Sequence, residues 1–266
     1  MTKNSQSGAN NPAASPLHEE KATMRILIVS DIHGNFPALE AVAKQCGDVD
    51  LILNGGDTTV YAPFPNQTID WLRTHRAVSI LGNTDRHILT LLAGDTFTHP
   101  KKAEKRIMYG ATAAELSKEN GAWLKSQPLW RTIDLAAEDD GRHLPKIGLF
   151  HGSPVNPDGF LFADTPDSRF AELAGATDHD IIIVGHSHSP FHKHINGVHF
   201  INPGSVGRMF DGSPTASCAV LELSGEDIAV SHLRLDYKVE AVAAELTRLR
   251  YPAIYARMYR IGRKLN

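Results

Sequence analysis

Apolar positions along this chain fall into short unbroken runs, separated by stretches in which they recur at helical spacing. Residues 25–30 (RILIVS) form a run of strand length, suited to a strand covered on both faces. In 37–46 (PALEAVAKQC) a proline opens a helical pattern. Residues 51–54 predict a second short buried strand, 66–75 (NQTIDWLRTH) a helix and 77–81 a third strand. Such alternation predicts an α/β layered sheet. The rhythm breaks after Arg86. Helical segments around 88–93 and 111–126 precede a strand near 131–136, and we read 87–144 as a helical insertion over one sheet edge. Strands resume at 146–150 (KIGLF), 180–184 (DIIIV) and 199–201. Two further runs, 217–223 and 226–235, flank the turn signal Ser224-Gly225 and predict a hairpin. A helical stretch from 237 to 249 and another after Pro252 make 238–266 a C-terminal helical segment.

The first 23 residues are polar and lack the apolar stretch of about 7–15 residues that a signal peptide carries. They predict a disordered tail, with a single domain over 24–266. Hydrophobic residues are 42% and charged residues 21% of the 266, ordinary globular stock. The net charge of −3 argues against a general nucleic-acid coat protein. No apolar run approaches the roughly 18 residues that span a bilayer. Two cysteines make no disulfide scaffold, so free buried thiols in a reducing cytoplasm are expected. Histidine is the unusual count, at fourteen.

Several of those histidines fall in short polar segments that each follow a predicted strand. The segments are Ser30-Asp31-Ile32-His33-Gly34-Asn35, Gly55-Gly56-Asp57, Leu81-Gly82-Asn83-Thr84-Asp85, Phe150-His151-Gly152 and Gly185-His186-Ser187-His188. Open α/β sheets bind ligands at the carboxyl ends of their strands, so these side chains should converge. Alone, each has a structural reading: Asp31 or Asp57 as a turn or cap residue, His151 as a satisfied core histidine. Occurring together, each after a strand and beside glycine, they point to metal. Carboxylates, imidazoles and one amide, without thiolate, suit manganese, iron, nickel or zinc better than calcium. Seven candidate ligands exceed what one ion needs, and two ions about 3.5–4 Å apart sharing a carboxylate is the economical solution.

In order and spacing these motifs resemble the calcineurin-like metallophosphoesterase superfamily, whose signature runs D-x-H, G-D, G-N-x-D/E, H and G-H-x-H. The likeness is closest to a bacterial single-domain subgroup, carried by DIHGN from Asp31, YAPFPN from Tyr61, HGSP from His151 and NPGSVG from Asn202. The resemblance implies a four-layer αββα sandwich of two stacked mixed β-sheets flanked by helices. It implies that Asp31, His33 and His188 hold one divalent ion, that Asn83, His151 and His186 hold another, and that Asp57 bridges both. Two transition-metal ions are the expected cofactors, manganese first, with iron, nickel or zinc as alternatives. The expected reaction is phosphate-ester hydrolysis by a hydroxide bridging the ions, whose pKa such a pair lowers to about 7. One position departs from the superfamily: where its third motif usually has histidine, this chain has Thr84, which leaves Asp85 without its usual imidazole partner. That tilts the expectation towards phosphodiesters.

Asp57, Asn83, Asp85, His151 and His87 are therefore the catalytic candidates, His87, Arg86 and Ser153 being the nearest substitutes in sequence for a missing acid. Asn35, Tyr61, Thr84, Arg86, Ser205 and Arg208 are candidate substrate contacts, with Arg208 otherwise read as an exposed arginine. The expected partner is a small phosphate ester, with no membrane and no stable nucleic-acid binding. A solvated helix face or a homo-oligomer contact is the reading for the basic run Arg248, Arg250, Arg257, Arg260, Arg263 and Lys264. The alternatives are a phosphomonoesterase or nucleotide phosphatase and, in another class, a non-catalytic metal-bearing scaffold. A nuclease would need a long basic groove, which the sequence lacks.

Overall fold

Strand β1 (Met24–Val29) shows why the apolar runs are unbroken: both of its faces are covered. Ile26 and Ile28 pack between two sheets, while Leu27 and Val29 pack against helix α1 (Phe36–Cys46). The computed structural model describes residues 1, 23–98, 100–135, 144–225 and 227–266. The predicted tail thus lies almost wholly outside the described residues, as do 136–143 of the expected insertion. The first sheet runs β10-β9-β1-β2-β3, with β2 (Leu51–Asn54) and β3 (Val78–Ser79) parallel to β1. Strands β9 (Ala216–Ser224) and β10 (Asp227–Leu235) form its antiparallel edge hairpin.

The second sheet runs β4-β5-β6-β8-β7. Here β5 (Lys146–Phe150), β6 (Ile181–Ile183) and β8 (Val198–Asn202) are parallel, and β4 (Trp130–Asp134) and β7 (Phe191–Ile195) are antiparallel edges. Its inner face meets the first sheet through Ile147, Leu149, Ile181, Ile183 and Ile201. Its outer face is covered by α6 (Asp167–Gly175), whose Phe170 and Leu173 pack on Ile182, Val184 and Phe200. The layers are therefore α1 with its neighbours, sheet, sheet and α6, as the resemblance implies. Each side chain as large as isoleucine or phenylalanine so buried contributes about 1.5–3 kcal/mol.

Helices α2 (Pro65–Thr74), α3 (Asn83–Leu92), α4 (Ala103–Glu115), α5 (Lys118–Lys125), α7 (Val239–Arg248) and α8 (Ala253–Ile261) build a separate apolar cluster around Tyr61, Tyr109 and Tyr255. The helix expected over 111–126 is two helices. Ser117 breaks it by accepting the Asn120 N–H on its side chain at 3.1 Å, which starts α5 afresh. Strand β4, within the segment read as an insertion, is one of the two edge strands of the second sheet. Helix α6 and strand β7 lie outside the elements that the sequence pattern predicts. The signal for β7 was present: Asn196 and Gly197, at φ 51° and 81°, form the tight turn that pairs it with β8.

Candidate metal centre

The loops after β1, β2, β3, β5 and β6 carry the motif residues to one place. Asp31, His33 and His188 form one group of ligand atoms, and Asp57, His151 and His186 a second, each within 4.8 Å of one another. In the first, His33 Nε2 lies 3.2 Å from His188 Nε2, which lies 3.1 Å from Asp31 Oδ1. Asp57 stands between the groups: Oδ2 is 3.8 Å from His33 Nε2 and Oδ1 is 3.5 Å from His151 Nε2. Asn83 turns its amide into the second group, where the amide nitrogen donates to His186 Nδ1 at 3.0 Å, His151 Nε2 at 3.2 Å and Asp57 Oδ2 at 3.3 Å; half a turn of the amide presents its oxygen to an ion instead.

The chain strains itself to make this arrangement. Asp31, His33, Asp57, His186 and His188 all adopt positive φ, from 52° to 65°, where residues other than glycine sit only when their surroundings compel it. Glycine is required where the loops press together. A Cβ on Gly82 would strike the Asp57 carboxylate, and one on Gly185 would strike the Ser30 hydroxyl and come 2.8 Å from Asp31 Oδ2.

Three imidazoles are oriented from behind by backbone carbonyls. Nδ1 of His33 donates to Thr59 O at 3.3 Å, that of His151 to Gly55 O at 2.8 Å, and that of His188 to Arg208 O at 2.6 Å. Each bond fixes the tautomer that leaves a bare Nε2 facing the centre. Asp31 is held on one side only: Oδ2 accepts from the Ser30 hydroxyl at 2.7 Å and the His186 N–H at 3.0 Å, while buried Oδ1 has no hydrogen-bond partner. Orphaned oxygen, inward lone pairs and an amide that can turn its oxygen inward together are a donor set that fits divalent cations.

The electrostatics are those of a largely buried cluster of carboxylates and imidazoles that opens on the His186 side. Burial pushes Asp57 up to about 6, helped by the Asp31 and Asp85 carboxylates against the pull of His151. Burial also opposes ionisation of Asp31, but His188, His151 and His33 outweigh it and hold that carboxyl below the usual range. Burial works against a charged His151 as well, yet Asp57 and Asp31 raise it. His33 is driven well below its ordinary value by burial, His188 and Arg208, and His186 to about 4 by burial and His151. His33 and His186 are thereby kept neutral at neutral pH, the form that can ligate a metal.

Several predicted contacts serve the scaffold instead. Asp85 is fully buried, and its carboxylate accepts from the backbone of Gly82, Thr58 and Thr59 and from the Thr59 hydroxyl, at 2.8–3.2 Å. Asn35 caps α1 through Ala38 N–H and donates to Gly207 O, which engages both ends of its amide. The Ser205 hydroxyl donates to Asp31 O and accepts from Arg208 N–H, both at 2.7 Å. The Thr84 hydroxyl donates to Thr59 O at 3.3 Å, while its N–H holds Asp57 Oδ1 at 2.8 Å. Ser153 is taken up by a turn with Asn156. His87 lies outside both ligand groups, edge-on to Tyr109 and Phe97 at ring distances of 5.8 and 5.9 Å. Arg86 pairs with Asp158.

Two candidates do reach the centre, with partners the motifs did not announce. Tyr61 meets His33 edge-on at 5.3 Å, and Arg208, only 8% exposed rather than solvated, lies 3.8 Å over the Tyr61 ring. Phe210 stacks on His188 at 4.6 Å, and Phe160, 57% exposed, stacks on His186 at 4.0 Å. Neither phenylalanine had a sequence signal, because each meets its histidine from a different loop.

The profile of the calcineurin-like phosphoesterase superfamily domain matches residues 24–246. An uncharacterized protein of Methanocaldococcus jannaschii is 28% identical over 262 residues, covering 90% of this chain and 98% of that one. The crystal structure of a metallophosphoesterase from Sphaerobacter thermophilus superposes with a TM-score of 0.74 at 26% identity, covering 91% of this chain and all of that one. A hypothetical protein from Pyrococcus horikoshii OT3 shares the fold at a TM-score of 0.76 and 19% identity, covering 91% and 99%. The chain belongs to the calcineurin-like phosphoesterase superfamily. With its two groups of candidate metal-ligand residues, it is a metal-dependent phosphoesterase. No helix among the described residues is long and apolar enough to cross a membrane.

Proposed function

We propose that the enzyme is binuclear and acts on phosphodiesters. In this reading Asp31, His33 and His188 hold one divalent ion, Asn83, His151 and His186 the other, and Asp57 serves both. The carrying observation is the place of Asp57, with one carboxylate oxygen nearest His33 and the other nearest His151. When bound, such a pair of ions acidifies a water and neutralises charge on the phosphate oxygens. The chain's own part is to hold the imidazoles in one tautomer, keep Asp57 buried between the groups and present Arg208 at the edge of the first. The preference for diesters rests on Thr84 and Asp85. Their polar atoms are engaged by Thr59, Thr58 and Gly82, so neither offers a proton to a leaving oxygen, and esters with good leaving groups suffer least. The mixed nitrogen and oxygen donor set favours manganese, with iron, nickel or zinc next. A small soluble substrate and a cytoplasmic site of action complete the reading.

The test is metal content per chain alongside hydrolysis of bis-p-nitrophenyl phosphate and p-nitrophenyl phosphate under each metal. Two ions per chain and faster diester turnover are expected. One ion per chain at saturation removes the sharing of Asp57. Bound metal without turnover of either ester makes the chain a scaffold.

A further inference from the structure

Three separate stretches of chain bring cations to one side of the metal centre. Arg208, in the loop between β8 and β9, lies 3.8 Å over the Tyr61 ring, 5.2 Å from Phe210 and 5.9 Å from Tyr255. Lys264, beyond the end of α8, places its ammonium 5.8 Å from the same Phe210 ring. That ring stacks on His188, and the Tyr61 ring meets His33, so both cations sit one aromatic side chain away from the first group of ligands. Lys105, in the first turn of α4, lies within electrostatic reach of Lys264 and Arg208.

The arrangement is fastened in place. Asn266 Nδ2 donates to the Tyr255 hydroxyl at 3.1 Å and to Glu104 at 3.4 Å, which ties the C-terminal segment to α8 and α4. Gly212 N–H donates to Gly262 O at 2.9 Å, which ties the same segment to the loop that carries Arg208.

Cations outnumber acids here. Arg248 and Arg260, in the same basic run, pair with Glu245 and Glu240. Among the described residues no carboxylate is within ion-pairing distance of Arg208 or Lys264, whereas Lys105 has one acid beside it, Glu104, which attracts it while also accepting from Asn266. Both lysines are held below the ordinary lysine range, first by partial burial and then by the neighbouring cations. Like charges gathered at a half-buried surface repel one another, and an anionic ligand relieves that repulsion.

We propose that Arg208, Lys264 and Lys105 form a second anion subsite, and that the substrate carries a further phosphate beside the one held at the metal centre. A planar guanidinium and two ammonium groups match the charge and the several acceptor oxygens of phosphate better than those of a lone carboxylate. The inference rests on the phosphoesterase reading for what sits at the metals, but binding at the subsite itself needs no metal.

The test is calorimetric titration of the full chain, metal-free and manganese-loaded, with tripolyphosphate, orthophosphate and citrate. Tripolyphosphate should bind at least about tenfold more tightly than orthophosphate, the effect of one further charged contact or more. Lys264→Gln and Lys105→Gln, with melting curves confirming the fold, should each weaken tripolyphosphate about tenfold and orthophosphate far less. Equal affinity for the two phosphates, or variants that bind tripolyphosphate like the parent chain, overturns the subsite. Citrate binding as tightly as tripolyphosphate overturns its assignment to phosphate. A chain that binds tripolyphosphate through these lysines yet hydrolyses no ester keeps the subsite and rejects the phosphoesterase reading. Hydrolysis of p-nitrophenyl esters without any preference for tripolyphosphate does the reverse.

Discussion

Replacing Asp57 with asparagine separates what this carboxylate does for metal from what it costs the metal-free fold. The side chain is 3% exposed and its carboxyl is raised from 3.8 to about 6, so its ionised form is disfavoured in the empty pocket. At about 1.4 kcal/mol per pH unit, that displacement is worth about 3 kcal/mol at neutral pH. The sign follows from a folded value above the unfolded one. The metal-free protein keeps this stability below about pH 4 and loses it as pH rises through about 6. Asparagine never ionises, and its amide oxygen can still accept the Thr84 N–H that now bonds Oδ1 at 2.8 Å. Metal-free Asp57→Asn should therefore melt above the parent at pH 8, by about 6–12 °C for about 3 kcal/mol in a domain of this size. The gap should close near pH 4. With manganese the order should reverse, because an amide cannot supply negative charge to two ions, and the variant should bind fewer than two ions per chain. Scanning calorimetry of chelator-treated and manganese-loaded samples at both pH values, with metal analysis, reads all of this. A metal-free variant melting below the parent at pH 8 would refute the electrostatic argument. Two ions per chain with full activity would refute the sharing of Asp57.

Further expectations concern single positions. His151→Ala and His188→Ala should each lose most activity and metal while leaving a folded chain, because loop-end ligands carry function more than packing; normal turnover with added manganese would remove that residue from the ligand set. Gly82→Ala should weaken both metal binding and stability, since the new Cβ meets the Asp57 carboxylate; unchanged metal content in the variant would show that the loop gives way. Gly197→Ala, at φ 81° with nothing within 4 Å of the new Cβ, should cost about 1 kcal/mol of stability from backbone strain alone. Turnover should be untouched, and a large fall would tie the β7–β8 hairpin to the site.

Much of this molecule was legible locally. A strand with both faces covered is apolar on successive positions through its middle, so the runs within 25–30, 146–150 and 180–184 announce themselves without knowledge of their neighbours. Because ligands gather at strand ends, the order of Asp31, His33, Asp57, Asn83, His151, His186 and His188 after those runs already implied a single centre. Helix α6 escaped because a short amphipathic helix has little periodicity to display, and strand β7 because its alternation spans only five residues, three of them polar, so that its clearest mark is the Asn196-Gly197 turn. What only the tertiary structure decided are the contacts between residues remote in sequence. His33 and His188 meet across 155 residues, Arg208 fixes the His188 tautomer with its carbonyl, and Asp85, an acid candidate by motif, spends its carboxylate bracing the loop after β2. The grouping of Arg208, Lys105 and Lys264 is of the same kind. A side chain's charge is written in the sequence, but whether a carboxylate stands beside it depends on which loops the sheets bring together.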